Sequence, residues 1–175
     1  MVTSSENRES LSSGERAELV QALAEQRELL LLTVRGLTDA EAARRTTVSE
    51  LILGGIVKHL ARGERVWAQI MANGDGELPD RMVDLGQYRM ADGDTLDGLL
   101  AEYAVGTRAL ERAVAAQPGL DRTVPLPKTL WSPPETVHWS GRRVLLHLIR
   151  ETAQHAGHAD MIREVLDGAN TTAQR

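Results

Sequence analysis

The chain has no cysteine and no phenylalanine, and only Lys58 and Lys128 among its 20 basic side chains are lysines. Without cysteine there is no disulfide, no thiolate metal site and no Cys nucleophile, so a metal must be held by His, Asp, Glu or water. Long apolar runs are also missing. The longest, Leu29 to Val34, is interrupted by Thr33, which excludes a segment able to span a bilayer. Met1 to Arg16 is polar and lacks the apolar stretch of a signal peptide, so a cytoplasmic location is expected and a membrane partner is not. An excess of positive charge is absent as well. At a net charge of -5 and a pI of about 5.6 the chain lacks the basic face that nucleic-acid binding needs. Strand-like alternation and internal repeats are not seen. Few Lys, no Phe and abundant Arg, Ala and Gly match the codons of a high-GC bacterial genome.

With 175 residues, 42% hydrophobic and 26% charged, the sequence suits one globular domain. Residues 1–12 are polar and Ser-rich and read as a loose tail. Ser13 can cap a helix whose apolar positions Leu19, Leu23, Leu30, Val34 and Leu37 carry it to about residue 36. Thr38 with Glu41, and Thr47 with Glu50, have capping-box spacing. The first pair predicts a short helix ending near Arg45, the second a long helix ending near Ala72. Residues 80–93 read mostly as loop. Asp94 or Thr95 opens a third long helix that buries Leu96, Leu99, Leu100, Tyr103, Thr107, Leu110 and Val114 and stops at Pro118-Gly119. Residues 117–139 hold five of the 6 prolines together with Trp131 and Trp139, which predicts an extended crossover. Ser140 to Asp167 is the last long helix, with Gly168 placed to end it. The expected fold is therefore all-α, a four-helix bundle over residues 13–168 with a Pro-rich crossover before the last helix and a short tail at 169–175.

That last helix carries the chemistry. His147, Glu151, His155 and His158 lie within about 80° of one another at 100° per residue, on the same stripe as Val144, Leu148 and Ile162. Aliphatic ends facing the core bring the ionisable middle with them. Burying these groups without compensation costs several kcal/mol, on the order of that for one unpaired charge, and a divalent cation compensates well. His59 shares a face of the preceding long helix with Ile52, Ile56 and Trp67, and Gly63 leaves room beside it. His59, Glu151 and His155 then form a His2Glu set with an open position. His147 could take the place of His59, but it lies roughly 12 Å from His155 along the helix axis. A hydrogen-bonded polar network is the alternative to a metal. Arg142 and Arg143, beside Trp139, are candidates for binding an anionic substrate. Glu64 and Arg65 read as surface charge, and Gly54-Gly55 as a site of close helix packing. No GxSxG, Walker A or HExxH motif is present.

Val48-Ser49-Glu50-Leu51 through Gly54-Gly55 to Lys58-His59-Leu60, and Trp139-Ser140 with Leu145-Leu146-His147, Glu151-Thr152-Ala153 and His155-Ala156-Gly157-His158-Ala159-Asp160, resemble the DinB-like superfamily. More narrowly they resemble its actinobacterial branch, over about residues 15–168. The resemblance implies a metal-binding four-helix bundle with one His from the second helix and a His-x-x-x-His pair from the last. Here the first of that pair is Glu151, which matches the His-Glu-His triad of mycothiol-dependent maleylpyruvate isomerase. The implied ligands are His59, Glu151 and His155. Those isomerases carry a further C-terminal domain, for which the few residues after Gly168 leave no room, so the isomerase reaction is not expected. The superfamily includes thiol S-transferases that use mycothiol or bacillithiol. The resemblance therefore implies a metal-dependent transfer of a small thiol, mycothiol first, to a small electrophile. His158 and His147 are candidate catalytic groups, and Trp139, Arg142 and Arg143 candidate substrate contacts. Zn is the first choice of metal, with Ni, Co, Fe or Mn as alternatives. Homodimers are common among the relatives. A different metal-assisted hydrolase or isomerase, or a non-catalytic metal-containing protein, is the alternative reading.

Overall fold

Gly74 and Gly168 adopt left-handed backbone conformations, with φ of 65° and 80°, and each closes a helix where the sequence predicts an end. In the computed structural model, which describes residues 4–78, 85–130 and 132–174, four long helices form the fold: α1 (Ser4–Thr33), α3 (Leu53–Asn73), α4 (Leu96–Ala115) and α5 (Gly141–Asp167). α2 (Asp39–Ala42) and α6 (Thr171–Gln174) are single turns. α3 packs chiefly along α4, α1 along α5, and α3 also meets α5. This is the all-α four-helix bundle the periodicity implies. Among the described residues no helix is long and apolar enough to cross a membrane.

Two apolar clusters fill the bundle. One joins Leu30, Ile56, Leu60, Leu99, Tyr103, Ala159 and Ile162. The other joins Leu23, Met71, Leu110, Leu145 and Leu148. Each leucine, isoleucine or methionine among them, taken from water, contributes about 1.5–3 kcal/mol. Of the face predicted for α4, Leu96, Leu99, Tyr103, Leu110 and Val114 are buried, and Leu100 and Thr107 are half-buried.

Several boundaries differ from the sequence reading. α1 begins at Ser4, so Ser13 lies inside the helix instead of capping it; no glycine or proline between them interrupts the hydrogen-bond ladder. The capping box of Thr38 and Glu41 forms, but its helix stops at Ala42. The box expected of Thr47 and Glu50 does not form. The Thr47 hydroxyl instead accepts from the Ser49 N–H at 3.2 Å, Arg45 draws Glu50 into an ion pair, and α3 starts at Leu53 with no side-chain cap. Local side-chain bonds there compete successfully with the helix. The C-terminal segment is not all tail. Asp160 accepts hydrogen bonds from the Thr171 N–H and hydroxyl, at 2.7 and 3.0 Å, and so anchors α6.

The Pro-rich crossover contains a small antiparallel ribbon that the sequence did not announce: β1 (Thr123–Pro125) and β2 (His138–Ser140), with Val124 opposite Trp139. Three-residue strands are too short to show alternation. The ribbon fixes Trp139 against the body of the protein, and Ser140, accepting from the Arg143 N–H, caps α5 as expected. Trp131 lies outside the described residues.

Glu64 is the largest correction. It is buried, not surface charge: its carboxylate receives Arg27 Nε and Nη2 at 2.7 and 3.1 Å and the Thr107 hydroxyl at 2.9 Å. Arg65 is exposed, as expected. Arg27 follows Leu23 by four residues and precedes Leu30 by three, so its place on the inner seam was available from spacing.

Gly54 and Gly55 serve close packing. A Cβ on Gly55 would lie 1.9 Å from the Tyr88 carbonyl oxygen, and one on Gly54 would lie 2.3 Å from the Met90 sulfur. These two glycines let the later part of the α3–α4 connection lie directly on α3, with a 3₁₀ turn at Leu85–Tyr88. That contact shapes the site.

Candidate metal centre

His59 on α3 and Glu151 and His155 on α5 converge. One ligand atom from each lies within 4.8 Å of the others. The His59 and His155 rings are 4.9 Å apart and edge-on at 63°. Glu151 Oε2 is 4.0 Å from His155 Nε2. The α3–α5 contact brings together residues more than 90 positions apart, while the four-residue step of α5 stacks Glu151 and His155 on one face.

The 3₁₀ turn completes the surroundings of His59. Its Nδ1 lies 3.2 Å from Gln87 Oε1, and the Tyr88 hydroxyl lies 3.4 Å from its Nε2. The Tyr88 ring stacks on it at 4.3 Å. With Nδ1–H donating to Gln87, Nε2 carries the lone pair and faces the Tyr88 hydroxyl; an outer hydrogen bond on Nδ1 is how a metal-binding imidazole is oriented. Gln87 and Tyr88 carry no periodic signal and sit in a stretch that reads as loop; only the glycine pair on α3 hints that something lies against it.

Arg150 organises the other side. Its Nη2 donates to His147 Nδ1 and to Glu151 Oε1, both at 3.0 Å. His147 Nδ1 is 3.8 Å from the same carboxylate oxygen. His147 therefore stands beside Glu151, not in the converging set. His158 packs against His155, with ring centroids 5.6 Å apart. The Nδ1 atoms of His155 and His158 are buried without a hydrogen-bond partner among the described residues.

Electrostatics favour one protonation pattern. Burial pushes the His155 imidazolium down to about 4, with His59 adding to the effect. Burial also holds His59 and His147 below the ordinary histidine value, against the pull of Glu151. Burial alone would raise Glu151, but the Arg150 hydrogen bond and the neighbouring His147 and His155 outweigh it and leave it below the usual carboxylate range. Near neutrality the set is two neutral imidazoles and one carboxylate. That is the form in which these groups ligate a divalent cation.

The expected substrate contacts separate. Arg142 pairs with Glu15 on α1 and with Asp121 before the ribbon. These carboxylates, distant in sequence, tie the start of α5 to the rest of the fold and engage the guanidinium that the sequence offered to an anion. Arg143 instead lies 4.6 Å above the Trp139 ring. Trp139 stacks on Trp67 at 5.2 Å and 6°, and His147 meets both rings edge-on at 5.3 and 5.1 Å.

The sequence profile of the mycothiol-S-transferase family matches residues 18–168. The chain belongs to the mycothiol S-transferase family. It is a DinB-like fold family, as the resemblance of the quoted sequence elements implied. A solved structure, described as the conserved protein of locus from Enterococcus faecalis, has the same fold at a TM-score of 0.61. It is 17% identical, and the match covers 87% of this chain and 97% of that one. No curated protein matches the sequence. A small-molecule thiol partner follows from membership of the mycothiol S-transferase family.

Proposed function

We propose that the protein is a metal-dependent mycothiol S-transferase whose ligands are His59, Glu151 and His155. The convergence of these three side chains in a family of this name carries the reading. Zn suits a His2Glu set, and Ni, Co, Fe or Mn would also bind nitrogen and oxygen donors of this kind. When bound, the cation supplies the positive charge that favours a thiolate over a thiol at neutral pH.

The remaining work belongs to the chain. Gln87 fixes the His59 tautomer, and Arg150 keeps Glu151 ionised and in place. His158, with its Nδ1 unpartnered beside His155, is the candidate acceptor for the thiol proton. His147, hydrogen-bonded by Arg150, positions Glu151 and closes the wall towards Trp67 and Trp139. The thiolate sulfur then attacks a small electrophile.

Elemental mass spectrometry of the wild type and of His59→Ala, Glu151→Ala and His155→Ala tests the ligand set. Stoichiometric metal in the wild type, lost in each variant with helical content retained, is expected. A variant that keeps stoichiometric metal removes that residue from the set. Activity is tested with mycothiol and chlorodinitrobenzene: a C–S bond replaces the C–Cl bond, and chloride and a proton are released. Turnover that needs both metal and mycothiol is expected. Metal binding with no thiol-dependent turnover would leave a metal-containing binding protein or a different metal-assisted enzyme.

A further inference from the structure

A cleft of about 380 Å³ lies between the crossover and the helices, outside the converging His-Glu-His set. Its apolar walls include Trp67, Trp139, Pro127 and Val137, and its charged lining is Lys128, Arg143 and Glu135. Two cations against one carboxylate make it locally positive in a chain whose net charge is -5. The two cations differ in how they are used. Lys128 Nζ donates to the Pro134 carbonyl at 2.9 Å, bracing the crossover. The Arg143 guanidinium carbon lies over the Trp139 ring, 4.6 Å from its centroid. A guanidinium held over an indole by its charge still has N–H donors to offer a carboxylate. The inner wall backs onto the candidate centre, because His147 touches both indole rings and its Nδ1 is 3.8 Å from Glu151.

We infer that this cleft binds a small carboxylic acid with a flat apolar body, the apolar part against the Trp and Pro walls and the carboxylate on the Arg143 fork. That this ligand is the electrophilic second substrate rests on the S-transferase reading; that the cleft binds such an acid does not. The Arg-carboxylate pair sets which acids enter, and the Trp walls set their shape.

The test uses the full metal-free chain and no thiol. Naphthoate is titrated against the uncharged naphthamide while the indole N–H signals of Trp67 and Trp139 are followed by proton–nitrogen correlation NMR. Saturable shifts of both signals with naphthoate are expected. Binding weaker by about tenfold or more is expected for naphthamide and for Arg143→Gln, the loss of one charge-assisted pair. Arg108→Gln, the same charge change on exposed α4 outside the cleft, should bind as the wild type does. Equal affinity for acid and amide, an unchanged Kd in Arg143→Gln, or no shift of the two indoles overturns the proposal. If naphthoate binds but mycothiol is never transferred, the cleft stands and the transferase reading falls. If transfer occurs and naphthoate does not bind, only the cleft assignment falls.

Discussion

Replacing Arg27 by Met would leave the Glu64 carboxylate inside the bundle with the Thr107 hydroxyl as its remaining close partner. Arg27 and Glu64 have side-chain exposures of 7% and 1%, so water does not take over the lost bonds. Removing one partner of a buried pair costs about 3–5 kcal/mol, because the other charge stays buried. For a chain of this length each kcal/mol lowers Tm by about 2–4 °C, so a fall of roughly 6–20 °C is expected. Burial already holds Glu64 above its ordinary value in the wild type, despite Arg27 and Thr107. The folded state therefore binds this proton more tightly than the unfolded one. Stability from that proton is fully present below the unfolded carboxylate value and is lost as pH rises through the folded one. The Arg27→Met deficit should accordingly be small in acid and grow towards neutrality. Arg27→Met with Glu64→Leu removes both charges and should recover most of the loss, since an apolar pair of similar volume is often neutral or better. Urea unfolding of the wild type, the single and the double variant across pH measures this. A single variant that loses less than about 1 kcal/mol, or a double variant no better than the single, would refute a costly buried charge at position 64.

Gly55→Ala should push the Tyr88 carbonyl off α3, costing about 1–3 kcal/mol as an overpacked contact and weakening metal binding through the displaced Gln87, seen by paired unfolding and metal titrations. Zn at a hundred times its Kd should raise stability by about 2.7 kcal/mol in the wild type, and calorimetry of His155→Ala should show no such rise. Lys58, bonded to Asp94 at 2.7 Å, holds the Asp94 carboxyl below its ordinary value, with the Ala91 N–H helping. The stability this contributes is present above the unfolded carboxylate pKa and disappears as pH falls through the folded one. Asp94→Asn should therefore cost stability at neutral pH but not in strong acid, as read by thermal unfolding at both. Leu30→Ala, at a fully buried position, should cost about 2–5 kcal/mol with helical content intact below Tm.

Long periodic segments make the bundle legible in the sequence. The leucines of α4, the Ser140 cap and the Gly168 stop of α5 are local signals, because a helix repeats every 3.6 residues and its ends need particular side chains. The same regularity places Glu151 and His155 on one face and His59 on the inner face of α3. Short-range competition is less readable. At Thr47 to Glu50 the residues for a capping box are present, yet side-chain bonds close a turn instead. Other features depend on partners brought from far along the chain. Glu64 is a core residue because Arg27 reaches it, Arg142 is held because Glu15 and Asp121 meet it, and His59 is oriented because Gln87 and Tyr88 lie over the two glycines of α3. The sequence alone determined the helices, their inward faces and the kinds of ligand available, since those follow from backbone periodicity and side-chain chemistry. Only the tertiary structure decided which charges are buried, which cation lies over an indole, and which loop residues orient His59. Those outcomes depend on distances between segments that no local pattern encodes.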